Sequence, residues 1–151
     1  MGGSNSTSHD LIGKDVEYEI KSTTSRYEKI IHIAGQFQMQ KTKRLFLYFC
    51  RFEQNINGQC INDVVDRLIT KAGESKDELN GKLSRQGYGI GSSARDEKYQ
   101  VHEILHYEVD ESFPKIIPES FVGGTIPKGI EHLEYNVDLS LLDGTVIELN
   151  C

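Results

Sequence analysis

The sequence predicts an α+β fold (mixed α/β), in which a core sheet is flanked by helices. The chain has 151 residues, which is the size of one ordinary domain. Apolar residues first alternate with a period of two, then follow a helical period over 61–87, and alternate again from residue 99. This order of strands, helices and strands is typical of a single domain that mixes both element types.

The first predicted element is a hairpin with a two-residue loop at 13–14, where glycine comes first as a type II′ turn requires. The strand that leaves the loop alternates strictly, with Tyr18 and Ile20 on one face and Glu19 and Lys21 on the other. We expect the apolar face to be buried and the charged face to line a concavity.

Further strands are predicted where apolar residues alternate or run together. The nearly continuous apolar run at 44–52 is typical of a central strand that is covered on both faces. Asparagine and glycine at 55–58 then indicate a turn. The other predicted strands lie at 29–33, 99–109 and 130–139.

Two helices are predicted between these strands. The first covers 61–72, with Asn62 as its N-cap and Gly73 as its stop. The second begins at Ser75 in a capping-box pattern and ends near Gly87.

Charge is distributed unevenly along the chain. The net charge of −6 argues against a protein that binds polyanions over its whole surface. Residues 20–52, however, hold seven basic residues and one acidic residue, a local charge of +6. The remaining residues hold 10 basic and 22 acidic residues, or −12. The basic segment is compatible with phosphate contact, although ordinary solvated strand ends explain it more simply.

The N-terminus and the cysteines predict the cellular location. Residues 1–8 lack the basic and apolar regions of a secretory signal, and we expect a flexible leader before a domain at 9–151. No apolar run approaches the roughly 20 residues of a membrane span. Cys50, Cys60 and Cys151 form no CxxC pair and no even set, so a reducing cytoplasm is the expected compartment.

Asp10, Glu19 and Lys21 form the candidate catalytic set. With a loop at 13–14, Asp10 lies opposite Glu17 and diagonal to Glu19, at roughly 7–8 Å. Two carboxylates at this spacing suit Mg²⁺, which also takes substrate phosphate and water as ligands. An adjacent lysine can orient the water and offset charge in the transition state. Because Glu-x-Lys is also common on solvent-facing strands, spacing alone is a weak signal.

The segment Glu19-Ile-Lys-Ser-Thr-Thr-Ser, preceded by His9-Asp10, resembles the core of the PD-(D/E)XK nuclease superfamily. It looks most like an uncharacterised bacterial PD-(D/E)XK family found near restriction and modification genes. The resemblance covers roughly 9–140 and implies a restriction-endonuclease-like core sheet. The other segments that match in order and spacing are 31–33, 38–39, 45–49, 59–66, 86–88, 107–114 and 130–137.

The resemblance also implies roles for individual residues. Asp10 and Glu19 would be the ligands of Mg²⁺ (or Mn²⁺), Lys21 the catalytic lysine and Gln38 an auxiliary glutamine. Two residues at the strand end, Ser22 and Thr23, would lie near the phosphate. A second role is at least as well supported, in which they end the strand by hydrogen-bonding the local backbone. The basic residues expected to contact DNA are Arg26, Lys29, Lys41, Lys43 and Arg44.

Three functions stay open at this point. The first is a metal-dependent endonuclease that hydrolyses DNA phosphodiester bonds in restriction or phage defence. The second is a non-catalytic binding or assembly subunit that keeps the nuclease-like fold, and the third is a small α+β protein with a coincidental match. Members of the family have an N-terminal half with a leading helix, so this chain resembles their C-terminal half. We expect an N-terminal half, a second copy or a restriction-system partner to complete the domain.

Overall fold

The computed structural model describes residues 9–148, which form a five-stranded mixed sheet, a two-stranded sheet and two α-helices. The predicted α+β class is confirmed. The large sheet has the order β1-β2-β4-β5-β7, and β3 pairs with β6 in the small sheet. The strands are β1 (Leu11–Ile12), β2 (Val16–Thr23), β3 (Ile30–Ile33), β4 (Arg44–Gln59), β5 (Tyr99–Glu108), β6 (Tyr135–Asp138) and β7 (Thr145–Val146).

The described chain divides into two compact units. The first unit takes residues 9–51 and 103–148, and the second takes residues 52–102. Strands β4 and β5 each continue from one unit into the other. All the predicted site residues lie in the first unit, whereas both helices lie in the second.

The core of the first unit is built on one face of the large sheet. Along β4, the side chains of Leu45, Leu47 and Phe49 are fully buried, whereas those of Phe46 and Tyr48 between them are half-buried. The prediction that this strand is covered on both faces is therefore confirmed for one face, whereas the other face is only partly covered. The residues that make up the core are Ile31, Ile33, Met39, Leu45, Leu47, Phe49, Leu105, Tyr107, Val109, Phe113, Val137 and Leu139.

Aromatic rings line the other face of the large sheet. Phe46 stacks on Tyr18 with 6.2 Å between ring centroids and on His106 with 4.7 Å, and Tyr48 lies 5.3 Å from His106. Mutual contact between rings removes part of their surface from water. This explains how a nearly continuous apolar run can belong to a strand with only one fully buried face.

In the second unit, β4 continues through the segment that was predicted to be a turn. The backbone N–H of Asn55 donates to the carbonyl of Lys98 at 3.0 Å, and the Asn55 side chain donates to Gln100 at 3.0 Å. At Gly58, a side chain would collide with the backbone of Tyr99. Glycine thus permits close approach of two strands here, and the turn prediction for 55–58 is wrong.

The two helices are α1 (Ile61–Ala72) and α2 (Lys76–Arg85). The N-cap of α1 is Cys60 and not Asn62, because the Asp63 carboxylate accepts the Cys60 backbone N–H at 2.9 Å. The predicted stop at Gly73 is confirmed by its left-handed backbone, φ 68°. Ser75 caps α2 as predicted, and the helix ends at Arg85, near Gly87 as predicted. No helix within residues 9–148 is long and apolar enough to cross a membrane.

The last predicted strand is shorter than expected. The alternating segment 130–139 contains only the four residues of β6, which pair antiparallel with β3. A 3-10 turn over Leu139–Leu141 follows at once, and Asp138 caps it by accepting the Ser140 N–H at 2.9 Å. This local hydrogen bond ends the strand.

Candidate active site

The hairpin of β1 and β2 brings Asp10 and Glu19 together. The two strands pair antiparallel, with Ile12 opposite Glu17. Continued by two residues, this register places Asp10 directly opposite Glu19. The prediction that Asp10 lies opposite Glu17 is therefore wrong, and its correction places the two candidate metal ligands closer together.

The register differs because the loop is longer than two residues. The N–H of Gly13 donates to the carbonyl of Val16 at 2.7 Å, so the chain turns over residues 13–16. A shift of two residues preserves the face to which each side chain points. Asp10 and Glu19 therefore share a face, as predicted, although the predicted two-residue turn is wrong.

The charged face of β2 is the more buried one. Glu17 and Glu19 are 5% and 2% exposed, whereas Ile20 is 44% exposed. In the parallel pairing of β2 with β4, Glu17 lies beside Leu45 and Glu19 beside Leu47. Neighbours on paired strands share a face, and here that face belongs to the core. The prediction that Ile20 is buried is therefore wrong. The charged face of β2 is the one that packs on the core, so the prediction that it is open is wrong as well.

Glu19 is held between opposing electrostatic influences. Burial raises the pKa of Glu19, the nearby charge of Asp10 raises it further, and the hydrogen bond and positive charge of Lys21 lower it, with a net rise. The Lys21 Nζ lies 3.1 Å from Glu19 Oε1. A carboxyl with a raised pKa next to a second carboxylate and an ammonium is typical of functional sites.

Asp10 is exposed, and its Oδ2 accepts the backbone N–H of Ile20 at 2.8 Å. Its other oxygen, Oδ1, accepts no hydrogen bond from the residues that the structure describes. Across the same part of the chain, no three His, Cys, Asp or Glu side chains are arranged to hold a metal ion. Two carboxylates nevertheless fit Mg²⁺, which commonly takes its remaining ligands from phosphate and water.

The side chains of the predicted auxiliary residues Gln38 and Thr23 bond to backbone groups near them in sequence. The Gln38 carbonyl accepts a hydrogen bond from the His9 ring at 3.0 Å if that ring nitrogen is protonated, while the Gln38 side chain accepts the Ala34 N–H at 3.0 Å. Thr23 Oγ1 accepts the N–H of Ser25 at 3.0 Å, and Ser22 is exposed. Thr23 therefore has the alternative role named above, a hydrogen bond to the local backbone at the strand end.

The predicted DNA-contacting residues do not form one free basic surface. Lys29 pairs with Glu103 at 3.0 Å and Arg44 pairs with Glu108 at 3.0 Å. Lys43 donates to the carbonyl of Gly13 at 2.9 Å. The other two residues of the predicted set, Arg26 and Lys41, have exposed side chains.

Sequence analysis missed a buried polar group next to the site. His9 and Glu17 are each 5% exposed, and the His9 Nδ1 lies 3.4 Å from Glu17 Oε2. Glu17 also accepts a hydrogen bond from the Thr42 hydroxyl at 3.0 Å. The available signal was the period of two, which places Glu17 on the same face as Glu19 and Lys21.

A mixed α+β fold that carries an Asp opposite a Glu-x-Lys strand has the residue types for which the PD-(D/E)XK class is named. The family model described as "Putative PD-(D/E)XK family member, (DUF4420)" matches residues 2–140, and the chain belongs to that family. The predicted resemblance to PD-(D/E)XK proteins is thereby confirmed. The family is typically metal-dependent. No curated protein and no solved structure matches the chain.

Proposed function

We propose that this protein is a metal-dependent nuclease that hydrolyses DNA phosphodiester bonds in restriction or phage defence. The observation that carries the proposal is the register that sets Asp10 opposite Glu19, with the Lys21 ammonium 3.1 Å from Glu19. Family membership supports it, because the matched residues 2–140 include Asp10, Glu19 and Lys21. The proposed compartment is the cytoplasm.

Asp10 and Glu19 would hold Mg²⁺ or Mn²⁺ through carboxylate oxygens, the ligands that hard cations prefer. The bound cation would polarise the scissile phosphate and lower the pKa of a water ligand. Burial and the charge of Asp10 raise the pKa of Glu19, and the positive charge of a bound cation would offset both. Burial disfavours the ionised carboxylate, and a nearby positive charge favours it.

Lys21 would act on the reacting groups without binding the metal. Its ammonium has three N–H donors and accepts nothing, so it can hold the oxygen of an attacking water and offset negative charge on the phosphate. The contact with Glu19 keeps this ammonium beside the carboxylates. Such a group stabilises the transition state more than the bound substrate.

The basic residues of the first unit would hold the DNA backbone. Arg26 and Lys41 have exposed side chains. Lys29 and Arg44, which pair with Glu103 and Glu108, would leave these glutamates and pair with DNA phosphates when DNA binds. Phosphate contacts of this kind make the affinity fall as salt concentration rises. A second copy or a restriction-system partner would supply any further DNA contacts.

Substituting Lys21 tests the catalytic part of this proposal. We expect Lys21→Ala to slow Mg²⁺-dependent plasmid cleavage by roughly 100-fold or more, since it removes a group that stabilises the transition state. Mn²⁺ binding should persist, because Asp10 and Glu19 remain. Gel-based cleavage kinetics and titration calorimetry measure the two effects.

Lys14→Ala is the matched control, because Lys14 is an exposed lysine in the loop between β1 and β2. It should cleave at the wild-type rate. Equal cleavage by the Lys21 and Lys14 variants would contradict the catalytic proposal. That result would favour the second function, a non-catalytic assembly subunit. The contacts of Lys29, Lys43 and Arg44 with groups of the same chain are consistent with that function as well.

A further inference from the structure

The His9 ring, next to Asp10 in the chain, faces an oxygen atom at each of its two nitrogens. Nδ1 lies 3.4 Å from the Glu17 carboxylate, and Nε2 lies 3.0 Å from the Gln38 carbonyl. Both oxygens are acceptors, so a ring protonated at both nitrogens can donate to both. With 5% exposure, this ring has little freedom to turn.

Glu17 is fixed in turn by Thr42. The Thr42 hydroxyl donates to Glu17 Oε1 at 3.0 Å, and the Thr42 backbone N–H lies 3.4 Å from Oε2. Glu17 Oε1 therefore has the Thr42 hydroxyl as its donor, and Oε2 has the Thr42 N–H and the His9 ring beside it. Thr42 is exposed, but the pair of His9 and Glu17 that it contacts is buried. This pair is held firmly, because breaking its contacts leaves desolvated polar groups without a partner.

Asp10, by contrast, is exposed and precedes a very short strand. β1 has two residues, so its ladder with β2 constrains the preceding chain only weakly. Two described contacts bear directly on the position of Asp10, namely its own bond to the Ile20 N–H and the anchoring of the adjacent His9.

We propose that the buried pair of His9 and Glu17, held by Thr42, is a positioning device that holds Asp10 at the distance from Glu19 that metal binding requires. This inference rests on the proposed function, since it assumes that Asp10 and Glu19 bind the metal. A side chain that binds a metal directly must be held by its supporting contacts within about 0.5 Å of its binding position. Loss of such a supporting contact typically weakens metal binding 10- to 100-fold.

The test compares Mn²⁺ dissociation constants, measured by electron paramagnetic resonance at a temperature where every variant is folded. We expect His9→Ala to weaken Mn²⁺ binding roughly 10- to 100-fold. Thr42→Val removes only the hydroxyl that bonds Glu17, and it should weaken binding by about 10-fold. Thr42→Ser keeps that hydroxyl and should restore wild-type affinity.

Rescue by serine separates positioning from general stability. A purely structural role would lower the melting temperature of the variants without changing the Mn²⁺ affinity of the folded protein. Unchanged Mn²⁺ affinity in both His9→Ala and Thr42→Val would overturn the positioning role, while the proposed function would stand. If His9→Ala does not fold, the valine and serine pair at Thr42 decides the question alone.

Glu19→Gln shows whether the measured ion is bound at this site. It should abolish the high-affinity Mn²⁺ signal that the wild type gives. If the wild type gives no such signal, or if Glu19→Gln leaves it unchanged, both the metal site and its positioning device are refuted.

Discussion

Glu19 is a residue whose charge opposes folding in the metal-free protein. Its folded-state pKa is raised, chiefly by burial. A carboxyl of this kind stabilises the fold while it is protonated, and that contribution is lost as the pH rises through the raised pKa. Above that raised pKa, the ionised Glu19 therefore lowers the free energy of unfolding.

We expect Glu19→Gln to raise the melting temperature in EDTA at pH 7.5, because it replaces a buried charge by a neutral isostere. The gain should shrink below the ordinary glutamate pKa of 4.5, where the wild-type side chain is protonated in both states. Adding Mg²⁺ should raise the melting temperature of the wild type and leave the variant unchanged. Thermal melts across pH measure these effects.

Glu131→Gln is the matched control for this substitution, because Glu131 is an exposed glutamate in the same unit. It should change the melting temperature little at any pH and should keep the response to Mg²⁺. A Glu19→Gln protein that melts below the wild type in EDTA at pH 7.5 would show that the charge of Glu19 favours the fold.

Among the elements, the close approach of β4 and β5 at Gly58 offers the sharpest test. We expect Gly58→Ala to destabilise the protein by roughly 1–3 kcal/mol, because the new methyl group must displace the backbone of Tyr99. Gly35→Ala is the control, since a Cβ at Gly35 meets nothing within 4 Å. Urea denaturation compares the two variants, and equal stability would mean that β4 does not continue through this segment.

Elements with a strong local pattern could be predicted from the sequence, and those decided by a neighbouring strand could not. The alternation of β2, the glycine stop of α1 and the serine cap of α2 depend on residues close in sequence. Residues 55–58 favour a turn locally. The bonds of Asn55 to Lys98 and Gln100 override that preference.

The candidate site follows the same division. The period of two correctly places Glu19 and Lys21 on one face, as their 3.1 Å contact requires. Which face is buried depends on the neighbours of β2 in the sheet, Leu45 and Leu47, and these are distant in sequence. The pairing of His9 with Glu17 likewise depends on the folded hairpin, so the alternation alone could not predict it.

At the scale of the first unit, Arg51 and Glu103 link segments that are far apart in the chain. Arg51 donates to the carbonyls of Ser25 and Glu28 and, at 3.3 Å, to the carboxylate of Glu103, which also pairs with Lys29. Burial raises the pKa of Glu103, but the hydrogen bonds and charges of Lys29 and Arg51 outweigh it and lower the pKa overall. The ionised form of Glu103 therefore favours the fold.

We expect Glu103→Gln to lower the free energy of unfolding at pH 7 by about 1 kcal/mol, the scale of one partly buried charged hydrogen bond. A carboxyl with a lowered pKa stabilises the fold above its ordinary pKa and loses that contribution as the pH falls through the lowered value. The difference between wild type and variant should therefore shrink on acidification below pH 4.5. Urea denaturation at several pH values measures it.

Glu108→Gln serves as the comparison, because Glu108 pairs with Arg44 at the surface, where ion pairs contribute little. Its effect at pH 7 should be smaller than that of Glu103→Gln. Equal effects of the two substitutions, or a Glu103→Gln difference that does not change with pH, would contradict a structural role for the network at Glu103.

The small sheet has a consequence for synthesis on the ribosome. Its paired residues His32 and Asn136 are 104 positions apart, and the same pairing sets Ile31 opposite Val137 in the core. Residues 52–102, by contrast, are continuous in the chain and form a compact unit of their own. Contacts between distant residues form late, because a long loop must close first. We therefore expect Ile31 and Ile33 of the nascent chain to lack their β6 partners until β6 has emerged, and chaperones have that interval in which to bind them.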